Sequence, residues 1–453
     1  MSMRDEASII TQVLRMYGAP CHIQPHPISY RTTRDNVFVM VPKAGVPVKK
    51  VLGIETEIEQ ALTNVRNGLV QVRWITQGRL ALAVPRDDPE TIPVTDMLAS
   101  VRRGAPVITL GEHYEHSFVP YGEEHRVPSW LRVKLDDPAT PNVIWAGTTG
   151  SGKTTAIKAS VLSLAVASDP YDLAMVLIDP KAVKGLPGLE GLPHLAHPVI
   201  TDIDESLAML SAVLEEKRRR SIEAKANGGR IGNWQRLVVV IDEMSSLVLR
   251  EPRVSDILRE IAREGRGLMI HLLMGAQKPT KEVIPSELMA NVPARAVGLV
   301  ATKEEGQYVT GIASTRLNAH KLPGQGAFIF TLNGSKTWAF AAPLCEPDIE
   351  RRVVDKVRQW WPSSTPLRLR PAQRTATAEP APAPTYEPAI ATHEERGNRH
   401  EEMIGVIRRV VDENGDLPSS HWLRQEYQER YGVGLNPNTA KKLLERAAHG
   451  LSM

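Results

Sequence analysis

The stretch Gly147-Thr148-Thr149-Gly150-Ser151-Gly152-Lys153-Thr154 constrains this 453-residue chain more than any other, matching G-x-x-x-x-G-K-[ST] at every fixed position. Such a loop needs a strand before it and a helix after it, because only a sharp glycine-rich turn aims several backbone N–H groups at one phosphate. Both flanks are present. Val143 to Ala146 is a short apolar run, and Thr155 to Val166 puts Ile157, Val161 and Leu164 on one helical face. In this pattern the glycines keep Cβ atoms out of the way, Lys153 offers a point charge to the β- and γ-phosphates, and the Thr154 hydroxyl ligates Mg²⁺. The helix amino terminus adds partial positive charge. The expected binding residues are Gly147 to Thr154 with Thr155 beside them, and the expected cofactors are ATP and Mg²⁺.

A second apolar run, Leu237 to Ile241, ends in Asp242 and Glu243. Two carboxylates at the end of a buried strand are costly unless a cation meets them. Asp242 is therefore expected in the Mg²⁺ shell, with Glu243 orienting and polarising the attacking water. A third run, Ile270 to Ala276, ends at Gln277, whose amide suits γ-phosphate sensing and water positioning.

Around these motifs the chain reads as four segments. Residues 1–125 form a mixed α/β module, with a helix over Ile54 to Val65 and strands at Val70 to Trp74 and Leu80 to Val84. Residues 126–350 alternate short apolar runs with helix-length segments, the pattern of buried parallel strands. The runs are Asn142 to Ala146, Leu173 to Ile178, Leu237 to Ile241, Ile270 to Ala276 and Ala296 to Ala301. A final pair, Ala327 to Leu332 and Thr337 to Ala342, flanks Asn333-Gly334, a dipeptide that favours the positive φ angles of a tight hairpin. Residues 351–398 read as a Pro/Ala-rich linker, extended and without apolar period from about residue 362. Residues 399–453 place apolar side chains at helical spacing three times, which reads as a helix-turn-helix, winged or not. Asn438, Thr439, Lys441, Lys442 and Arg446 fall on the exposed side of its third helix, where phosphates or base edges are met; a protein-docking bundle is the alternative.

The ordered set IWAGTTGSGKTTAIKAS, VLIDPKAVKGLPGLEGLPHLAHPVITD, VVVIDEMSSLV, GRGLMIHLLMGAQKPTKEVIPSELMANVPAR and LPGQGAFIF resembles the motor of the FtsK/SpoIIIE family, from Asn142 to about Cys345. The segment VPVKKVLGIETEIEQAL resembles the family's smaller pre-motor domain. The resemblance implies a RecA-like P-loop ATPase forming a hexameric ring around double-stranded DNA. It also implies that Arg266 or Arg295 reaches the neighbouring subunit's nucleotide and neutralises charge developing on the γ-phosphate. The layout is similar to that of short relatives on mobile elements.

Composition narrows the rest. A formal charge of +3 permits a nucleic-acid partner without demanding one. Cys21 and Cys345, the two cysteines, lie far apart, which excludes a disulfide framework or paired zinc spacing and fits a reducing cytoplasm. No run approaches ~18 uninterrupted apolar residues, so no transmembrane segment is expected. Lys217-Arg218-Arg219-Arg220 reads either as a DNA contact or as a solvated helix face. The favoured function is ATP-driven translocation of double-stranded DNA. The rivals are a secretion-type ATPase moving protein substrates and a replication or regulatory DNA-binding protein switched by ATP.

Overall fold

A computed structural model describes residues 1–25, 28–66, 68–75, 80–113, 129–181, 185–312, 318–334, 336–362, 367–371, 393–414, 418, 420–431 and 437–449. The chain divides into two units, Met1–Gln373 and Arg374–Met453. The first unit opens with β1 (Cys21–Ile23), β2 (Tyr30–Arg31), β3 (Asp35–Pro42), β4 (Arg73–Ile75) and β5 (Ala81–Pro85). They form an antiparallel sheet ordered β1-β3-β5-β4, with β2 also on β3. Helices Met3–Met16 and Glu55–Arg66 supply Ile10, Leu14, Ile58 and Leu62 to a core with Phe38, Met40, Leu82 and Val84.

Nine further strands make the larger sheet: β6 (Val107–His113), β7 (Trp130–Lys134), β8 (Val143–Ala146), β9 (Leu173–Ile178), β10 (Arg236–Ile241), β11 (Ile270–Ala276), β12 (Ala294–Val297), β13 (Ala327–Leu332) and β14 (Lys336–Ala341). Their order is β7-β6-β14-β13-β12-β8-β11-β10-β9. The five strands from β12 to β9 run parallel, and the other pairings are antiparallel. β8, β9 and β11 are buried along their whole length, which is why they read as unbroken apolar runs rather than alternating ones. Asn333 (φ 52°) and Gly334 (φ 63°) take the left-handed conformation between β13 and β14, as their identities favour.

Four features depart from the pattern read along the chain. The sheet recruits β6 from upstream of residue 126. The strand expected over Ala296 to Ala301 is Ala294–Val297, because the Leu299 carbonyl turns to accept from the Thr148 N–H (2.7 Å) instead of continuing the ladder. The first unit also runs on well past residue 351. Helix Pro347–Trp360 buries Val354 and Val357, its Glu350 accepts from Lys158 at 2.7 Å, and Leu369 packs into the core beyond it. The Pro/Ala-rich composition begins only near residue 362, beyond this amphipathic helix. The helix after the loop, Lys153–Ala167, is buried on nearly every side rather than one, since the sheet and helices Val94–Ala99 and Pro347–Trp360 enclose it.

The run at residues 217–220 is neither a free DNA contact nor a plain solvated face. Lys217 and Arg220 are buried. Lys217 pairs with Glu260 (3.0 Å) and Glu264, and Arg220 pairs with Glu216 (2.7 Å) and donates to the Leu268 carbonyl (2.8 Å). Arg218 and Arg219 pair with Glu215 and with Glu216 and Glu223.

In the second unit, helices His393–Asn414, Ser420–Tyr431 and Pro437–His449 enclose Met403, Ile404, Ile407, Leu423, Tyr427, Ala440, Leu443 and Ala447. Among the described residues no helix is long and apolar enough to cross a membrane, and both cysteines are free and buried.

Two histidines of the first unit are buried as neutral groups. His194 Nε2 lies 2.8 Å from the Ser168 carbonyl, and burial pushes its pKa down to about 4. His271 Nδ1 meets the Pro141 carbonyl at 2.9 Å and Nε2 accepts from Arg236 at 2.6 Å; burial and that cation push it down to about 3. The unfolded chain takes up protons below the ordinary histidine value of about 6.5, while the native state refuses them until these lower values. Their contribution is whole above pH ~6.5 and falls as pH drops toward ~4, by about 1.4 kcal/mol per pH unit for each histidine. Urea unfolding across that window should give a shallower slope for His271→Asn by about that amount. Equal slopes would mean a charged imidazole in the core.

Candidate active site

β8 delivers the chain to Gly147, and the helix begins at Lys153 with Gly152 as its cap in the left-handed region (φ 91°). No side chain caps this helix, so its first-turn N–H groups stay available. A Cβ on Gly152 would sit 2.7 Å from the Gly326 nitrogen, a contact no other residue type could make without moving backbone. Ser151 Oγ is buried with no hydrogen-bond partner among the described residues. Thr149 and Gly150 are exposed on the rim, and Thr155, the third residue of the helix, is half-buried. Unspent amides with an orphaned buried hydroxyl in one turn fit a phosphate.

The acidic strand end arrives from two strands away. β11 lies between β8 and β10, and Gly275 lets it pass, since a Cβ there would stand 2.1 Å from the Asp242 carbonyl oxygen. Lys153 Nζ donates to that carbonyl and, at 2.9 Å, to Asp242 Oδ1, while the Thr154 hydroxyl donates to Oδ2 at 2.7 Å. Lys153 and Asp242 are both buried. The Thr154 and Asp242 oxygens thus converge on one point, the hard-oxygen set that suits Mg²⁺.

Glu243 is 1% exposed. Its Oε1 accepts from the Ser245 N–H (3.2 Å) and the Gln277 N–H (3.4 Å). Lys181 Nζ lies 3.1 Å from Glu243 Oε2 and donates to Gln277 Oε1 at 2.8 Å. The structure therefore brings Lys153, Thr154, Asp242, Glu243 and Gln277 together, and adds Lys181. The sequence pattern assigns no task to that lysine, which ends Ile178-Asp179-Pro180-Lys181. Its position just past β9, one strand beyond the acidic strand, is the signal that was available.

The two arginines separate. Arg266 is exposed at the amino end of β11, roughly 20 Å along the strand from the loop at ~3.3 Å per residue. Arg295 donates to the carbonyls of Val292 (2.8 Å), Val309 (3.0 Å) and Met289 (2.9 Å), and burial lowers its pKa. A guanidinium spent on three carbonyls of its own chain is an internal clamp, which removes Arg295 as a donor to a neighbour. In the second unit Thr439 is half-buried, and Lys442 and Arg446 are exposed, with Arg446 paired to Glu401. Asn438 and Lys441 lie on the same helix, and their side chains fall outside the described residues.

Residues 131–230 match the model of the FtsK/SpoIIIE family. The chain is 30% identical over 340 residues to the DNA translocase FtsK of Helicobacter pylori strain J99, covering 71% of this chain and 38% of the relative. It is 29% identical over 315 residues to the DNA translocase SftA of Bacillus subtilis strain 168, covering 66% and 31%. The chain thus spans less than half the length of the curated relatives it matches. Its fold is similar to the cytoplasmic domain of the Thermomonospora curvata type VII secretion ATPase EccC, with a TM-score of 0.53 and 21% identity over 63% of this chain and 36% of that one. It is also similar to the pCW3 conjugation coupling protein TcpA, with a TM-score of 0.50 and 18% identity over 79% of this chain and 99% of that one.

Removing one member of a buried pair strands the other charge. Lys153→Ala should lower unfolding stability by about 3–5 kcal/mol, and adding Asp242→Asn should restore most of that loss. Losses that simply add in urea denaturation would show that the two groups do not depend on each other.

Proposed function

The chain belongs to the FtsK/SpoIIIE family, and from that premise we propose that it is an ATP-hydrolysing, ring-forming motor on double-stranded DNA, working in the transfer or segregation of a mobile element. The observation that carries the reading is the junction of Lys153 and Thr154 with Asp242, with Glu243 and Gln277 beside it. Mg²⁺-ATP, when bound, supplies the phosphoanhydride whose cleavage drives the cycle. Thr154 and Asp242 would hold the cation, and Lys153 would neutralise phosphate charge. Glu243 polarises water, with its carboxylate fixed by two backbone N–H groups and Lys181. Gln277, just past the end of the strand between the two motifs, would face the γ-phosphate end. Contact with DNA is mainly to its phosphate backbone and so largely independent of sequence. The three-helix unit, read as a helix-turn-helix, selects DNA through the helix bearing Thr439, Lys442 and Arg446.

The test is the ATPase rate with and without duplex DNA. Duplex should stimulate the parent, and a protein ending after residue 373 should keep that stimulation, because the first unit is complete there. Glu243→Gln should bind ATP yet turn over about a hundredfold or more slowly. A rate that duplex leaves unchanged, but a protein substrate raises, would replace this reading with the secretion-type one.

Arg266 is the donor from the next subunit, since its own site lies too far along β11. Arg266→Ala and Lys153→Ala proteins, each inactive, should regain part of the parental ATPase when mixed, where an intact loop faces an intact arginine. Mixed rings that form without regaining activity would end this assignment.

A further inference from the structure

The motif LPGQG, Leu322 to Gly326, plays no part in the chemistry above, yet it touches the phosphate loop directly. Gln325 N–H donates to the Gly150 carbonyl (2.9 Å) and Gly326 N–H to the Ser151 carbonyl (2.8 Å). To do so the chain takes three left-handed residues in succession, Gly324 (φ 74°), Gln325 (φ 48°) and Gly326 (φ 93°). Glutamine is not a residue that adopts this conformation freely, so something outside the segment holds it there.

That something is in the amino-terminal module. Arg34, 7% exposed, donates through a terminal guanidinium nitrogen to the Gln325 carbonyl, 291 residues away in sequence. Arg34 sits at the tip between β2 and β3, and the tip is itself braced. Thr32 Oγ1 accepts from the Arg34 N–H (3.1 Å) and the Asp35 N–H (2.8 Å), and Arg86 donates to the Thr32 carbonyl (2.9 Å). The same module holds the other end of the segment, where Lys321 pairs with Glu59 (3.0 Å) and Glu55 of helix Glu55–Arg66.

We propose that Arg34 is a positioning residue for the phosphate loop, acting through the Gln325 backbone, so that the amino-terminal module and the nucleotide site are coupled. This rests on the reading that the loop binds a nucleoside triphosphate. Arg34 touches no reacting atom. It sets where Gln325 and Gly326 stand, and their two N–H groups set where the Gly150 and Ser151 carbonyls stand. Coupling of this kind is reciprocal: what the module does for nucleotide affinity, nucleotide does for the module.

The experiment titrates a fluorescent, non-hydrolysable ATP analogue into the full chain without DNA, then measures steady-state kinetics. Arg34→Met should raise Kd about tenfold, the scale of one charge-assisted hydrogen bond, while kcat at saturating ATP stays within about threefold. Arg34→Lys, which keeps a cationic donor, should recover part of the affinity. A folded Arg34→Met protein with parental Kd overturns the proposal, and a lower melting temperature alone would mark Arg34 as merely structural. If Arg34→Met does not fold, hydrogen exchange in the parent decides. The Arg34 and Asp35 amides should exchange more slowly with the analogue bound, and unchanged exchange at saturation overturns the coupling. A parent that binds no analogue sinks the triphosphate reading itself, which separates the two failures.

Discussion

The contact between Lys153 and Asp242 is the one the nine-stranded sheet is arranged around. Each charge, buried alone, would cost several kcal/mol, and each is bearable only because the other is there with a hydroxyl beside it. The requirement dictates topology. The strand carrying the loop and the strand carrying the acid must both run parallel and end at the same edge, so that a lysine on the first helical turn reaches the carboxylate. With β11 lying between them, the approach is possible because residue 275 has no side chain to keep the strand ends apart.

The same logic of paired interior charge recurs away from the site. Lys158 and Glu350 pin the last helix of the first unit to the helix after the loop, and Lys217 and Arg220 tie a long helix to the elements leading into β11. Arg295 uses its guanidinium on carbonyls rather than on an acid. These cations are buried at a desolvation cost that only specific partners offset, so the elements carrying them are held in register. Arg266 differs by remaining exposed.

The amino-terminal module belongs to this scheme and is not an appendage. Its small antiparallel sheet packs on its own apolar core, but Arg34 and helix Glu55–Arg66 both engage the segment that backs the phosphate loop. The module is thus held to the segment that backs the glycine-rich loop.

What the sequence determined by itself is local. A glycine-rich turn between a strand and a helix, five apolar runs, and Asn333-Gly334 with its positive φ angles are written in neighbouring residues, because backbone conformation and one-element burial depend on neighbours. The tertiary structure alone decided the partnerships. Lys181 meets Glu243 and Gln277 across 62 and 96 residues, and Arg34 meets Gln325 across 291. It decided too that one arginine is spent inward and that the first unit continues through an amphipathic helix into Leu369. A charged side chain carries no periodic mark of its partner. Which cation meets which oxygen is settled only when the strand order places two distant chain segments at one edge of the sheet.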